Sequence, residues 1–282
     1  YEKFNTLLDF RPKFLKPIIG LISGLTDPIS GQIMGITAET LASEFKISRQ
    51  EQDEYALKSH QKAQKAIEEG IFKDEIHPII TDHIQFYEDD GIRFNQTIEA
   101  LKKLRPIFDR NAGTVTAGNS SQVSDAASMV AICSESYAKK LGIKPLGFIR
   151  DFSYVGLDAS RMGLGPVYAT KKLFDKTNTT LQEIDLIEIN EAFSSQVIAN
   201  IKAFESKSFA KKHLDGKVLG EINSDILNIN GGAVALGHPV GMSGTRIILH
   251  TLKQLQRKGL QKGLATLCVG GGQGAAFLLE AE

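Results

Sequence analysis

The stretch that decides the fold is Ile184-Asp-Leu-Ile-Glu-Ile-Asn-Glu-Ala-Phe-Ser-Ser-Gln-Val-Ile-Ala-Asn-Ile-Lys-Ala-Phe204. Residues 184–189 form a short, strongly apolar run, which predicts a buried strand. Residues 194–204 predict a helix, and the polar Asn190 and Glu191 lie between the two. A strand that leads directly into a helix is the building unit of α/β folds.

The same alternation continues on both sides of this unit. The sequence predicts strands at 146–155, 264–269 and 275–279, and helices at 166–175 and from Gly241 through about Lys258. The last two strands are joined by Gly270-Gly-Gly-Gln-Gly274, which indicates a hairpin. Strands that alternate with helices favour an α/β fold class. The charged residues 203–227 are expected to form a surface insertion.

The N-terminal half is more polar. Ser48-Arg-Gln-Glu51 is a capping box, so a helix should begin there and end near Gly70. A short helix is expected at 97–104, before Pro106. Residues 126–141 are apolar and then helical, with Gly142 placed to end the helix.

Composition excludes several classes of protein. The 282 residues carry no net charge, so the chain has no basic footprint for nucleic acid. With 42% hydrophobic and 23% charged residues, the chain is typical of globular proteins and not of disordered ones. Its two cysteines, Cys133 and Cys268, are too few for a disulfide framework or a cysteine-rich zinc site, and no metal site is expected.

The beginning of the sequence gives two further expectations. No signal peptide is visible, and the first residue is not Met, which suggests a trimmed or partial product. The apolar stretch 14–25 is interrupted by Lys16 and stops at Asp27. Since a spanning helix needs about 20 apolar residues, this stretch should not cross a bilayer.

Three segments place a polar residue at a strand end or on a glycine-rich loop: 190–193, 237–244 and 268–274. In open α/β sheets, ligands bind outside the carboxyl ends of strands. The segments supply His238 and Cys268, whose side chains suit acid/base and nucleophilic chemistry near neutral pH. Their glycines would let backbone N–H groups approach a developing oxyanion.

Each segment also has an ordinary structural interpretation. Cys268 could be a buried core cysteine, His238 a satisfied loop histidine, and Asn190 a cap for the following helix. The glycine-rich loops could hold phosphate, but no G-x-G-x-x-G follows a strand and no Walker sequence occurs.

The joint occurrence of the three segments, in this order, resembles the C-terminal half of thiolases. That family carries N/H-E-A-F, then G-G-x-x-x-x-G-H-P-x-G-x-[ST]-G, then C-x-x-G-G-x-G, and the resemblance covers essentially the whole chain. Within the family, the charged connector at 203–227 and the start of the chain at 4–15 are similar to the thiolase subunit of fatty-acid β-oxidation multienzyme complexes. The matching segments are 190–193, 231–244, 268–274, 113–121, 104–108, 48–55 and 162–166.

The resemblance implies an acyltransferase that cleaves 3-ketoacyl-CoA with a second CoA, giving acetyl-CoA and a shortened acyl-CoA. It implies that His238 activates a nucleophilic cysteine and contributes to one oxyanion hole, where Asn190 would hold a water. Cys268 would be the acid/base at the acetyl-CoA α-carbon. An ordinary thiol pKa near 8.5 would let it protonate the carbanion during cleavage and remove the α-proton during synthesis. The Gly270 N–H would serve a second oxyanion hole. Coenzyme A would be a substrate, and no cofactor is expected.

The resemblance also implies substrate contacts. Three positions match the family's pantetheine and CoA contacts, namely Ser121, Ala117 and Phe108. Three match its acyl pocket, namely Met34, Met162 and Phe193, for which core packing is the alternative.

Two residues depart from the family pattern. Ile33 stands where many short-chain members have His, which favours a more apolar pocket. Asn190 stands where the multienzyme-type members often have His, which leaves the subfamily open.

The family's nucleophilic cysteine has no match here, because Cys133 lies beyond the Ser121 segment in a strand-like run and is expected to be structural. We therefore expect a thiolase-type layered α/β fold whose N-terminal domain is mostly absent, and a chain that is inactive alone while its full-length parent is active. The expected parts are a loop domain at 1–123, a returning strand and helix at 124–145, and the C-terminal domain at 146–282.

Other consequences stay open at this stage. The resemblance implies a homodimer or larger oligomer, a possible hydratase/dehydrogenase subunit, and a cytoplasmic location with the mitochondrial matrix as alternative. Residues 4–25 could contact a membrane surface or an acyl chain, or could pack on the protein. The alternative functions are a biosynthetic acetyl-CoA acetyltransferase and a non-catalytic acyl-CoA- or lipid-binding protein.

Overall fold

The computed structural model describes Pro17 and residues 19–282, and the expectation for the basic and apolar start, residues 4–15, lies outside them. The helices are α1 (Gly20–Gly24), α2 (Met34–Glu44), α3 (Arg49–Glu68), α4 (Ile98–Lys102), α5 (Glu135–Leu141), α6 (Gly165–Thr177), α7 (Ser194–Glu205), α8 (Lys207–His213), α9 (Ala233–Leu236) and α10 (Val240–Lys258). The strands are β1 (Ile79–Ile80), β2 (Gln85–Phe86), β3 (Gly147–Gly156), β4 (Leu186–Ile189), β5 (Lys262–Val269) and β6 (Gln273–Ala281).

The predicted strand and helix at 184–204 are present as β4 and α7, and the other predicted strands form β3, β5 and β6. The capping box is confirmed, since the Ser48 hydroxyl accepts the Glu51 N–H and the Glu51 carboxylate accepts the Ser48 N–H. The fold class is α/β, as the alternation of elements predicted. The structure differs at the connector 203–227, where residues 207–213 form helix α8 and bury Ala210 against the core.

The main sheet has the strand order β3-β6-β5-β4. β4 and β5 are parallel, whereas β6 runs antiparallel to both β5 and β3, so β5 and β6 form the predicted hairpin. The Asn190 N–H donates to the Thr266 carbonyl at 3.0 Å, which extends the parallel ladder by one residue. Because parallel strands end at the same edge, Asn190 and Cys268 are placed at one edge of the sheet.

The two faces of the sheet bury different cores, because neighbouring residues of a strand point to opposite sides. Leu264 belongs to the larger core, which also contains residues of α6 and α7. Ala265, the next residue, belongs to a second core with residues of α10. Helices thus pack on both faces of the sheet, and the edge with the carboxyl ends of β4 and β5 stays available for loops.

The segment 121–134 differs from the prediction. The expected returning strand does not form, and Met129 and Ile132 are 89% and 74% exposed. A strand needs a neighbour to pair its backbone N–H and C=O groups, and no described strand lies beside this segment. The helix that follows is present as α5, ended by Gly142 at φ +66°. The boundaries at 123 and 145 stay a prediction.

Within the described residues, no helix combines the length and the apolar character that crossing a bilayer requires.

Candidate active site

Asn190 and His238 meet at the edge of the sheet. Asn190 is buried directly after β4, and its Nδ2 lies 3.3 Å from Nε2 of His238. His238 sits between α9 and α10, and it follows Gly237, whose φ of +91° is in the region that favours glycine. The fold therefore brings together two of the predicted site residues from separate loops.

The second ring nitrogen of His238 fixes its tautomer. Nδ1 lies 2.6 Å from the Ser243 hydroxyl, which in turn donates to the Pro239 carbonyl at 3.2 Å. Nδ1 therefore carries the proton, and the Nε2 lone pair accepts from the Asn190 amide. Burial, and secondly the charge of Arg246, lower the pKa of His238 to about 4. His238 is thus neutral near pH 7, with its basic nitrogen turned toward Asn190.

The amide oxygen of Asn190 is unusual. Oδ1 is buried and has no hydrogen-bond partner among the described residues. An unpaired buried acceptor costs about 1–3 kcal/mol, so native structures rarely keep one without a reason. An Asn amide with one free acceptor beside a histidine base can bind a water or a polar group of a ligand.

Cys268 lies near the end of β5 and is only 6% exposed. It is part of what we call the site cluster, an apolar group at the same edge of the sheet. Burial raises the pKa of this thiol to about 12, well above the value near 8.5 expected from sequence. Near neutral pH the thiol therefore stays protonated and can donate a proton, and the thiolate that remains after donation is a strong base. The site cluster consists of Ala38, Val115, Met162, Ala192, Phe193 and Cys268, with Met34 and Phe108 packed against it.

Four of the six predicted substrate contacts therefore lie together with Cys268. The rings of Phe108 and Phe193 are perpendicular, with centroids 5.9 Å apart. Met34 lies against the glycine-rich turn, because a Cβ on Gly270 would stand 3.3 Å from the Met34 Cε. Gly35 must remain glycine, since a Cβ there would come within 2.2 Å of the Phe108 ring.

The structure separates the remaining two predicted contacts. Ser121 is half-buried, and its N–H donates to the carbonyl of Ala192 at 3.0 Å, which places it at the rim of the site cluster. Ala117 is exposed on the preceding turn and does not belong to the site cluster.

The turn Gly270–Gly272 closes the hairpin next to Cys268. Gly271 and Gly272 have φ values of +84° and +76°, which favour glycine. A Cβ on Gly272 would also come within 2.2 Å of the Leu157 carbonyl. Gly270, the predicted oxyanion donor, therefore packs against Met34 and belongs to a turn whose shape depends on two further glycines.

Sequence reasoning missed a buried network around Glu191. One carboxylate oxygen accepts from Tyr55 Oη and Asn228 Nδ2, both at 2.9 Å, and the other accepts from Ser59 Oγ at 2.7 Å and Val234 N at 3.2 Å. Burial and the neighbouring carboxylate raise the pKa of Tyr55 well above its usual value. The network joins α3 to the loop after β4 and to the start of α9. A charged residue two positions after a buried strand was the available signal.

Cys133 is exposed and lies outside any regular element, so the expectation that it is a structural cysteine is wrong. The reason is that its segment forms no strand. It is also not part of the site cluster around Cys268.

Comparison with known proteins agrees with this geometry. The family model of the thiolase C-terminal domain matches residues 143–281, and that of the thiolase N-terminal domain matches residues 16–136. A 3-ketoacyl-CoA thiolase of Yersinia enterocolitica is 42% identical over 274 residues, which are 95% of this chain and 62% of the relative. The crystal structure of the Bacillus anthracis acetyl-CoA acetyltransferase superimposes with a TM-score of 0.85 at 39% identity, over 98% of this chain and 67% of that one. The crystal structure of human mitochondrial 3-ketoacyl-CoA thiolase in complex with CoA superimposes with a TM-score of 0.82 at 37% identity, over 98% of this chain and 66% of that one.

The chain thus spans about 62% of the length of the curated relatives it matches. The match at 16–136 does not support the expectation that the N-terminal domain is mostly absent. It takes in most of the segment that we assigned to a loop domain, so the loop region counts as part of the N-terminal domain in that comparison. The chain, with both domain models matched and the three motifs assembled at one edge of its sheet, belongs to the thiolase family.

Proposed function

We propose that this chain provides the acid/base and oxyanion-binding parts of an acyltransferase that cleaves 3-ketoacyl-CoA to acetyl-CoA and a shortened acyl-CoA. The observation that carries the proposal is the contact of 3.3 Å between Asn190 and a neutral His238, at the sheet edge that also holds Cys268. The names of the Yersinia and human relatives support the substrate class.

His238 is the base of the proposed reaction. Its Nε2 lone pair accepts the proton of the attacking thiol, and the imidazolium N–H that results is then a donor for the oxyanion formed at the keto carbon. The free Asn190 Oδ1 binds a water that completes this donor set. Both functions use the same nitrogen, which the Ser243 contact at Nδ1 leaves available.

Cys268 acts in the next step. When the bond between the α- and β-carbons breaks, its electron pair remains on the acetyl-CoA fragment as an enolate. The Cys268 thiol donates its proton to that carbon, and the Gly270 N–H stabilises the enolate oxygen. The high pKa of the buried thiol keeps the proton in place until the carbanion forms. The acyl group then passes from the nucleophile to a second CoA.

The nucleophile is not among the residues assembled here. Cys268 has the acid/base role, and Cys133 is exposed outside the site cluster. We therefore expect the 282 residues alone not to complete thiolysis, although they hold the groups for exchanging the α-protons of acetyl-CoA. CoA as substrate, the oligomeric state, a partner subunit, membrane contact and the compartment stay predictions.

The exchange of the acetyl-CoA α-protons gives a direct experiment. The chain is incubated with acetyl-CoA in D₂O, and deuterium in the acetyl methyl group is measured by mass spectrometry. Cys268→Ser should slow exchange well over about tenfold, since general acid/base groups contribute roughly 10²–10⁴-fold. Cys133→Ser is the matched control and should leave the rate unchanged. No exchange above buffer, or equal rates in both variants, would refute the assigned role.

A chain-length series separates degradative from biosynthetic specificity. The Bacillus anthracis relative is named for acetyl transfer, so a preference for acetoacetyl-CoA over longer 3-ketoacyl-CoA would shift the proposal to that reaction. The site cluster is apolar, and we therefore expect this protein to bind acyl-CoA thioesters more tightly as the acyl group becomes longer. Isothermal titration with acyl-CoA thioesters of increasing length measures this.

A further inference from the structure

Asp27 is fully buried and lies far from every catalytic motif in the sequence. Both of its carboxylate oxygens are used. Oδ1 accepts the N–H groups of Ile29 and Ser30, each at 2.8 Å, and thereby shapes its own turn. Oδ2 accepts the N–H of Gly271 at 2.5 Å, across 244 residues of sequence.

The partner of Oδ2 is the turn next to the acid/base residue. Gly271 is the middle residue of Gly270–Gly272, and the other side of that turn is held by the Leu157 N–H, which donates to the Gly272 carbonyl at 2.8 Å. The two contacts hold the Gly270–Gly271 peptide group and the Gly272–Gln273 peptide group, one at each end of the turn. Because glycine has the greatest backbone freedom, a turn of three glycines needs such external contacts to keep one conformation.

The turn that contains Asp27 also leads to the acyl side of the site cluster. Thr26 forms an antiparallel bridge with Ile33, and the Met34 N–H donates to the Leu25 carbonyl at 2.8 Å. The Met34 side chain then packs against Gly270. One carboxylate therefore holds the glycine turn and the segment carrying Met34 in a fixed relation.

We propose that Asp27 is a positioning residue, whose carboxylate holds the Gly271 N–H so that the Gly270 N–H and the Cys268 thiol keep their alignment toward the substrate enolate. The inference rests on the proposed function for its catalytic consequence. The contact itself can be tested separately, because it concerns one identified amide.

Two substitutions separate the local hydrogen bonds of the Asp27 carboxylate from its long-range hydrogen bond to Gly271. Asp27→Ser keeps a hydroxyl that can accept from the Ile29 and Ser30 N–H groups, but it is too short to reach Gly271. Asp27→Asn keeps the shape but turns one acceptor into a donor, which then faces an N–H group. Asp185→Asn is the matched control, because its carboxylate accepts the N–H groups of Gln261 and Lys262 at the opposite end of β5.

Acetyl-CoA deuterium exchange is the first readout, with CoA affinity measured in parallel. Both Asp27 variants should lose about tenfold to 10²-fold in exchange rate, since a misplacement of 1 Å at a site has effects of that size. Their CoA dissociation constants should stay near the wild-type value, and Asp185→Asn should change the rate by about twofold or less. Wild-type exchange in both Asp27 variants would overturn the proposal, and so would an equal loss in the control.

Amide hydrogen exchange at Gly271, followed by NMR, is the second readout. It should show a protected amide in the wild-type chain and a fast one in Asp27→Ser. If the wild-type chain does not exchange acetyl-CoA protons at all, the proposed function fails, and this amide alone decides whether Asp27 positions the turn. An unprotected Gly271 amide in the wild-type chain, or loss of cooperative unfolding in both variants, would contradict a positioning role.

Discussion

Cys268 and Cys133 are the same type of residue in opposite surroundings. Cys268 stands in a strand with hydrogen-bonded neighbours on both sides, within the site cluster, and burial raises its pKa to about 12. Cys133 stands in the segment 121–134, which has no regular structure and exposes most of its side chains. The difference shows that strand pairing, and not local apolar sequence, decides whether a cysteine becomes a buried acid or a surface thiol.

Local apolar character is similar in the two regions. Met-Val-Ala-Ile-Cys133 and Leu-Ala-Thr-Leu-Cys268 both suggest a strand by composition. Only the second has partners, β4 on one side and β6 on the other. Matched substitutions in the two regions can therefore test how much chemistry and stability the pairing provides.

The largest expected contrast is in thiol reactivity. Because the thiolate is the reactive form, a pKa of about 12 should make Cys268 alkylate roughly 10³-fold more slowly than an ordinary exposed thiol. Its rate should keep rising about tenfold per pH unit between pH 9 and 11, since raising the pH toward 12 increases the thiolate fraction. Timed alkylation with iodoacetamide and peptide mass spectrometry measures both cysteines in one sample.

Urea at denaturing concentration is the control for that experiment, because it should bring the two rates together. Comparable rates in the folded chain would show that the site cluster does not bury Cys268 as described.

The next contrast is between two methionines. Met162 is 5% exposed in the site cluster, whereas Met129 is 89% exposed in the segment 121–134. Met162→Ala should lower the free energy of unfolding by about 2–5 kcal/mol through lost burial and the cavity left behind. Met129→Ala should stay within about 0.5 kcal/mol. Urea unfolding followed by circular dichroism gives both values, and an equal loss for the two would contradict the assigned packing.

The smallest expected contrast is between two glutamates. Glu191 accepts four hydrogen bonds in a buried network, whereas Glu135 forms an exposed pair with Lys139. Glu191→Gln replaces one acceptor oxygen by a donor and should cost about 1–3 kcal/mol of unfolding free energy. Glu135→Gln should leave the free energy of unfolding nearly unchanged, because exposed ion pairs contribute little.

Thermal unfolding of the two glutamate variants is a sufficient measurement. A shift in melting temperature for Glu135→Gln as large as that for Glu191→Gln would show that the network around Glu191 is not the main support of the loop after β4.

Much of the fold could be predicted, because its signals are local. The apolar run of β4, the capping box at Ser48 and the glycine-rich hairpin were each identified within a few residues. The failure at 121–134 has a physical cause. A strand is stabilised by partners that are distant in sequence, so composition alone does not show whether they are present.

For the candidate site, the sequence predicted which residues take part better than it predicted their protonation states. The motifs identified Asn190, His238 and Cys268, but not that burial moves the pKa of the histidine to about 4 and that of the thiol to about 12. The contributions of Asp27 and Glu191 were missed, because each acts through contacts with residues far away in sequence. Such partners leave no spacing pattern to read.

The sequence by itself determined the α/β class, the motifs and the chemical types of the site residues, because these depend on side-chain chemistry and on short-range backbone preferences. Only the tertiary structure decided which of the two cysteines is buried, which nitrogen of His238 carries the proton, and which carboxylate holds the glycine turn. Those properties depend on desolvation and on hydrogen bonds between segments as much as 244 residues apart, which form only when the chain is folded.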